Sequence, residues 1–258
     1  MPSDRKSYIY FHRSYRVAET VEPRVGRLLF VFVFVLEVLL IVFHPFLVQA
    51  LVYSTRNVLT ALGYHPTVVF WRMLYRSLPL IDLPTVYPTP LFSAGLFLVS
   101  ILLPLVMFLI KKVPRMFAGY MLYLSVINAS SAAFFILAPH KFPYDISIFS
   151  MLYTGTVVGL WILIPVILVM ALYSLPTSIV PKMLFILFNV VYAMIFALIR
   201  YIFFLICLED GSVIFMALFY FALGPLFDFV YLVGFYTYYV SNLSEAIRFS
   251  RRRWRWLY

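Results

Sequence analysis

Three ionisable side chains, Glu37, Arg200 and Asp228, interrupt long apolar stretches of this sequence. A charge at the centre of a bilayer costs at least about 2.5–3.5 kcal/mol, so residues of this kind are paired with one another or mark a functional site. Arg200 keeps its proton at ordinary pH and therefore needs a partner. Counting about 1.5 Å per helical residue places Glu37 and Asp228 near mid-membrane, and Arg200 several Å closer to the outer face.

We predict that Arg200 pairs with Asp228, with Glu37 as a competitor or a third member. The short EDGS turn at 209–212 makes the two stretches that carry Arg200 and Asp228 antiparallel neighbours. The residue count puts Asp228 about a turn and a half deeper than Arg200, so the guanidinium has to reach inward. Two interpretations stay open, a structural ion pair that holds helices together and a functional site that opens to the outer leaflet.

Signatures of other chemistry are missing from the sequence. No Walker loop, HExxH or GxSxG pattern occurs, and of the four histidines only His44 lies within an apolar stretch, which argues against haem ligation. Cys207 is the one cysteine, so no internal disulfide can form. We therefore predict no metal site and no cofactor. The polar residues expected to form hydrogen bonds between helices are Asn128, Ser130, Ser131 and Asn189.

The elements that carry these residues follow from composition. Of the 258 residues, 64% are apolar and 12% are charged, whereas a soluble domain has about 25% charged residues. About 20 mostly apolar residues cross the hydrocarbon as a helix, and the stretches that meet this length are 28–53, 91–110, 116–138, 146–173, 182–208 and 213–240. The alternation that a membrane barrel requires is missing. The sequence therefore predicts an all-α polytopic bundle with six spans.

Basic residues predict the orientation of these spans. With the amino terminus inside, four basic residues face outward, namely Arg56, Arg72, Arg76 and Lys141, and fifteen face the cytoplasm. This excess follows the positive-inside rule and favours an even number of spans with both ends in the cytoplasm. The expected organisation is a cytoplasmic segment at 1–27, a membrane domain at 28–243 with an outer connection at about 54–90, and a cytoplasmic tail at 244–258.

The outer connection contains two segments of distinct character. In VVFWRMLYRSL, we expect an interfacial helix that places apolar side chains in the headgroups and its arginines in water. The next segment, LPLIDLPTVYPTP, has four prolines and is expected to be extended. A spacer, a partner-docking surface and a substrate-facing surface all stay open. The residues of the expected interfacial helix that decide this pattern are Phe70, Trp71, Arg72, Leu74, Tyr75 and Arg76.

The carboxyl tail RFSRRRWRWLY interleaves arginines with two tryptophans. This pattern suits anionic phospholipids, which attract basic residues near the surface by about 1 kcal/mol each. An orientation anchor without a specific ligand stays open, and nucleic acid is not expected for so short a tail beside a membrane. The expected lipid-binding residues are Arg248, Arg251, Arg252, Arg253, Trp254, Arg255 and Trp256.

The stretch from about Tyr144 to Gly234 resembles the back half of the exosortase and archaeosortase family of multi-pass membrane transpeptidases. Arg200, in NVVYAMIFALIR, corresponds to the arginine that this family places near the outer end of a span. At the position of the nucleophilic cysteine this chain has only Ser147 and Ser150, and the histidine position falls near Tyr220. Cys207 follows the arginine, in the wrong order. The resemblance therefore implies an inactive relative.

The sequence favours a non-catalytic membrane protein over an enzyme. The sequence lacks a catalytic arrangement of polar residues, its loops are short, and 20% of its residues are aromatic. These features favour a subunit or scaffold of a cell-envelope complex, with other membrane proteins as partners. We expect it in the bacterial cytoplasmic (inner) membrane. Two alternatives stay open: an exosortase-like transpeptidase relative, and a small-solute transporter with a site formed by Arg200, Asp228 and Glu37.

Overall fold

The computed structural model describes residues 16–18, 23–73, 76–110, 114–175, 177–249 and 254–256. Six of its helices are long and apolar enough to cross a membrane. The first five are α1 (Pro23–Ala61), α2 (Pro90–Leu109), α3 (Arg115–Leu137), α4 (Ile146–Tyr173) and α5 (Ile179–Asp210). The sixth span, Val213–Glu245, includes most of the last helix, α6 (Gly224–Phe249). The prediction of an all-α bundle with six spans is confirmed.

Helix α1 runs eight residues beyond Tyr53, where the sequence predicts its end. Its 39 residues measure about 58 Å at 1.5 Å each, which exceeds the hydrocarbon thickness of about 30 Å. No glycine or proline interrupts it between Pro45 and its end. Gly63, with φ of +94°, then ends the helix, and the Tyr64 amide bonds to the Leu59 carbonyl at 3.0 Å, as in a Schellman motif.

The outer connection forms a β-hairpin, so the predicted interfacial helix is wrong. Strand β2 (Thr67–Met73) pairs antiparallel with β3 (Arg76–Asp82), with Phe70 opposite Pro79. Val, Phe and Trp suit a half-buried strand, and a two-stranded sheet has a free edge that tolerates proline. Beyond β3 the chain runs without regular structure to Thr89, in agreement with the extended path expected for the proline-rich segment.

Helices α1, α4 and α5 pack against one another and form the centre of the bundle. Their buried side chains include Val48, Ile164 and Ile186. At one end of this core, a Cβ added to Gly26 on α1 would lie 2.5 Å from the Tyr173 ring on α4. Glycine at that position therefore allows the two helices to approach closely.

Helix α6 contacts α5 through large aromatic side chains. The ring centroids of Phe185 and Tyr239 lie 4.6 Å apart, and those of Tyr192 and Phe235 lie 4.7 Å apart. Aromatic pairs at such distances contribute about 0.5–1.5 kcal/mol beyond the area that they bury. The residues of this ladder recur at helical spacing, namely Phe185, Phe188, Tyr192 and Phe196 on α5, and Phe227, Tyr231, Phe235 and Tyr239 on α6.

Two short strands near the ends of the given sequence pair with each other. Strand β1 (Arg16–Ala18) pairs antiparallel with β4 (Trp254–Trp256), so that Val17 lies opposite Arg255. An even number of spans has this consequence; that these strands lie on the cytoplasmic side stays a prediction. Within the tail, Arg251, Arg252 and Arg253 lie outside the described residues. The lipid-binding role of the tail, including Arg248, also stays a prediction.

Candidate intramembrane polar site

Arg200 is a buried cation in the middle of an apolar helix. It lies ten residues before the end of α5, which is about 15 Å along the helix axis, and it is 5% exposed. Its guanidinium cannot lose its charge, and the hydrocarbon offers no water at this depth. The protein must therefore supply its hydrogen-bond acceptors.

The acceptors come from two neighbouring helices. Arg200 Nη1 lies 2.8 Å from Asp228 Oδ2 and donates to the Gly224 carbonyl at 2.9 Å, while Nε donates to the Tyr153 hydroxyl at 3.1 Å. Tyr153 in turn donates to the Ala197 carbonyl at 2.8 Å. The predicted pairing of Arg200 with Asp228 is therefore present, within a network that joins α4, α5 and α6.

Aromatic rings enclose the Arg200 guanidinium. Its central carbon lies 5.5 Å from the centroid of the Tyr153 ring and 5.9 Å from that of Phe196. Cation–π attraction is strongest where the cation is desolvated, as it is here. Tyr231, 8% exposed, lies beside the Asp228 carboxylate. These rings exclude lipid and water from the ion pair.

A break in the sixth span explains how Asp228 meets Arg200. The chain forms a 3-10 turn at Val213–Phe215 and a π-helix at Leu218–Leu223 before α6 begins at Gly224. A π-helix closes its hydrogen bonds over five residues instead of four, so it adds residues per turn and changes the register of all that follows. The depth count from the sequence assumed α-helix throughout, and this is why it placed Asp228 too deep for Arg200.

The broken segment exposes main-chain carbonyls, and side chains of other helices satisfy them. Ser131 donates to the Ile214 carbonyl at 2.7 Å, as expected of an interhelical hydrogen-bond former. Two tyrosines of α3 that the sequence analysis missed do the same, since Tyr123 donates to Phe221 at 3.0 Å and Tyr120 donates to Ala222 at 3.2 Å. The signal that could have found these tyrosines is their spacing of three residues on one helix face.

The other three residues that the sequence analysis expects to form interhelical hydrogen bonds, Asn128, Ser130 and Asn189, bond within their own helices or have an unpartnered atom. Ser130 donates to the Ile127 carbonyl, and the Asn189 amide donates to the Phe185 carbonyl. Asn128 Oδ1 is buried without a partner among the described residues. The expectation of interhelical hydrogen bonds is therefore met by Ser131, whereas the hydrogen bonds given by Ser130 and Asn189 stay within α3 and α5.

Glu37 is not part of the Arg200 network, so its predicted role as competitor or third member is wrong. Both carboxylate oxygens are enclosed by the protein, and neither has a hydrogen-bond partner among the described residues. Its position on α1 is eleven residues above Gly26, which packs against Tyr173 near the start of α5. Arg200 is 21 residues above the start of α5, so the two side chains differ by roughly 15 Å in depth.

An apolar cavity of about 220 Å³ lies between the amino-terminal half of α4 and the broken segment. Ile148, Leu152, Tyr220 and Phe221 are among its lining residues, which include neither Arg200 nor Asp228. A cavity of about 150 Å³ accommodates benzene, so this space suits an apolar group rather than a charged one.

The outer rim carries two acidic groups with defined surroundings. The exposed Tyr64 hydroxyl donates to Asp210 Oδ2 at 2.6 Å, and this bond raises the pKa of Tyr64 to about 12 because a phenolate would face the carboxylate. Burial is the main reason why the pKa of Asp82, on β3, is raised, and the nearby charge of Asp145 adds to it. The bond between Tyr64 and Asp210 joins the segment after α1 to the end of α5.

The positions that correspond to the exosortase motif do not converge on the guanidinium. Ser147 donates to Asp145 Oδ1 at 2.8 Å, and Ser150 is buried and donates to the Ile81 carbonyl at 2.7 Å. The Tyr220 hydroxyl lies 3.0 Å from Thr156 Oγ1. Comparison with protein-family models, curated proteins and solved structures finds no significant match. The resemblance to the exosortase family therefore has no support beyond the residues on which it was stated.

Proposed function

We propose that this multi-pass membrane protein is a non-catalytic subunit or scaffold of a complex in the bacterial cell envelope, seated in the cytoplasmic membrane. The observation that carries the proposal is the use of the Arg200 guanidinium. Its described hydrogen bonds go to Tyr153, Gly224 and Asp228 of the same chain. A group that recognises a substrate instead directs its donors into a pocket. The geometry suits a role in holding α4, α5 and α6 together.

The lipid-facing surface supports assembly with other membrane helices. Gly155 and Gly159 form a GxxxG pattern on the exposed face of α4, and a Cβ added to either glycine would meet no atom within 4 Å. Small residues at this spacing let a second helix approach the backbone closely. In lipid, van der Waals packing of this kind takes the place of the hydrophobic driving force. Helix α4 therefore offers the partner surface.

The experiment compares assembly of glycine variants in native-lipid nanodiscs. Gly155→Ile and Gly159→Ile should abolish a stoichiometric complex that the parent chain forms in its native membrane, as measured by mass photometry and cross-linking. Gly119→Ile is the matched control, because Gly119 is likewise exposed and open on α3 but stands alone. The proposal is wrong if the parent chain is recovered alone and monomeric, or if both α4 variants retain the complex.

The transporter alternative required Arg200, Asp228 and Glu37 in one site. Because Glu37 lies apart from the ion pair, that combined site is not assembled.

A further inference from the structure

The apolar cavity between α4 and the broken segment faces the lipid. Leu152 of α4 is 40% exposed and Phe221 is 59% exposed, and both line the cavity within spans that are apolar enough to cross a membrane. Side chains exposed within such spans contact hydrocarbon instead of water. Among the described residues, the walls come from α4, the broken segment and the loop residues Phe142 and Tyr144. The exposed side of the cavity therefore opens into the bilayer.

The cavity begins at the level of the lipid headgroups. Tyr144 precedes the first residue of α4, Ile146, and is 49% exposed. Tyrosines at the ends of membrane helices place their rings at the headgroup level. The Tyr144 ring packs on Phe142 with 5.5 Å between the centroids, and Phe142 packs on Phe135 of α3 with 4.7 Å between the centroids. These rings fix the wall of the cavity that lies nearest to the membrane surface.

From the headgroup level, the cavity extends along α4 for most of one leaflet. Its lining residues from Tyr144 to Leu152 cover about 12 Å of the helix axis, and one leaflet contributes about half of the hydrocarbon thickness of about 30 Å. The volume of about 220 Å³ is larger than a space of about 150 Å³ that accommodates benzene. A space of this length and direction suits a lipid chain, whereas a side chain of a neighbouring helix would enter across the membrane normal.

The walls of the cavity require no hydrogen bond from an occupant. The Tyr220 hydroxyl, on the wall formed by the broken segment, lies 3.0 Å from Thr156 Oγ1. Thr156 in turn donates to the Leu152 carbonyl at 2.9 Å. Met216 and Phe149, which also line the cavity, are buried and apolar. A saturated or unsaturated hydrocarbon chain therefore meets no unsatisfied polar group on these walls.

A cationic side chain lies at the surface end of the cavity. Lys141 ends the 3-10 turn that follows α3, is exposed and directly precedes Phe142, which lines the cavity. The acidic residue nearby is Asp145, whose Oδ1 accepts from the Ile148 amide at 2.9 Å and so caps α4. The helix amino terminus compensates part of that negative charge. The Lys141 ammonium is therefore available to the phosphate of a lipid at this level.

We propose that this cavity binds one acyl chain of a phospholipid whose phosphate lies at Lys141. The bilayer is as apolar as the cavity, so the hydrophobic effect does not favour binding, and van der Waals packing against the fixed walls takes its place. Lys141 adds about fivefold in affinity, which is the equivalent of about 1 kcal/mol for a basic residue near the surface. The site is separate from Gly155 and Gly159, and it does not depend on the assembly proposed for α4.

The test titrates the delipidated full chain in detergent with dioleoyl phosphatidylglycerol that carries a diazirine in one acyl chain. Native mass spectrometry counts the retained lipid, and peptide mapping after irradiation locates the chain. The result expected is saturable retention of one lipid, with cross-links at 144–152 and 216–221. Ala217→Phe, which places a ring in the cavity, should lower the affinity at least tenfold, and Lys141→Gln should lower it about fivefold. Ala50→Phe, at an exposed position of α1, is the matched control and should bind as the parent does.

The titration and the mapping of the parent chain decide the proposal even if a variant fails to fold. Absence of saturable retention would overturn it. Cross-links spread over the exposed faces of all six spans would identify annular lipid and would equally overturn it. If free oleate competes as well as the phospholipid does, the phosphate has no part in binding and the phospholipid assignment is wrong. Cross-linking in the native membrane that places a partner's side chain in the cavity would assign the space to protein instead. Gly155 and Gly159 are unchanged in every variant, so none of these outcomes bears on the assembly proposed for α4.

Discussion

The ion pair between Arg200 and Asp228 is best tested by removing each partner alone and then both. In Asp228→Leu, the guanidinium retains its bonds to the Tyr153 hydroxyl and the Gly224 carbonyl but loses its counter-charge, and it cannot shed its proton. In Arg200→Leu, the buried carboxylate is left without its cation, and Gly224 loses its donor. Each single change therefore leaves a charge uncompensated in the bundle.

The size of the effect follows from burial. Removing one partner of a buried pair costs about 3–5 kcal/mol, and in a domain of this length each kcal/mol lowers the melting temperature by about 2–4 °C. Both single variants should therefore melt about 6–20 °C below the parent. The double leucine variant removes both charges and leaves the Gly224 carbonyl unsatisfied, at about 1–3 kcal/mol. It should thus be more stable than either single variant.

Cys207 supplies the assay, because it is the one cysteine of the chain and is half-buried on α5. A thiol-reactive fluorophore that labels it on unfolding reports the melting temperature in detergent. Arg56→Leu is the control, since Arg56 is exposed on α1 and surface changes cost within about 0.5 kcal/mol. If both single variants melt within about 2 °C of the parent, or if the double variant loses the sum of the two, the pair does not stabilise the bundle.

Three further predictions concern the membrane faces, the tail and the outer rim. Reporter fusions should indicate the cytoplasm at Lys112, Thr177 and the carboxyl end, and the opposite side at Pro84, Lys141 and Asp210; agreement at fewer than five of these six sites would overturn the orientation. Replacing the arginines of 248–255 by glutamine should weaken binding to anionic vesicles in a salt-dependent way, because exposed charges are screened over about 8–10 Å; equal binding of a tail peptide to neutral and anionic vesicles would refute this. Asp82→Asn should raise the melting temperature at pH 7 but not at pH 4, measured by circular dichroism. Burial raises the pKa of Asp82, so its contribution to stability is complete below the unfolded pKa and is lost as pH rises through the folded pKa. An equal gain at both pH values would contradict this account.

The sequence by itself determined the class of the protein and its buried charge pair. In the hydrocarbon, only helices and closed barrels satisfy the hydrogen bonds of the backbone. Once barrels are excluded, apolar stretches of this length must be helices, so the six spans follow from local composition. The partner of Arg200 was equally accessible. An arginine in hydrocarbon requires a carboxylate, and the short turn after α5 brings Asp228 onto the adjacent helix.

Only the tertiary structure decided how the outer connection folds, how the sixth span is broken and where Glu37 lies relative to Arg200. The segment 67–82 has the apolar and basic residues of an interfacial helix, yet pairing between its two halves satisfies its backbone as a hairpin. In the π-helix at Leu218–Leu223, the carbonyls of Phe221 and Ala222 accept hydrogen bonds from Tyr123 and Tyr120 of α3, which are distant in sequence. Glu37 lies apart from Arg200 because the register between packed helices is set by contacts such as that of Gly26 with Tyr173. Local propensity and charge count carry no information on such contacts, since they join residues of different helices that lie far apart in the sequence.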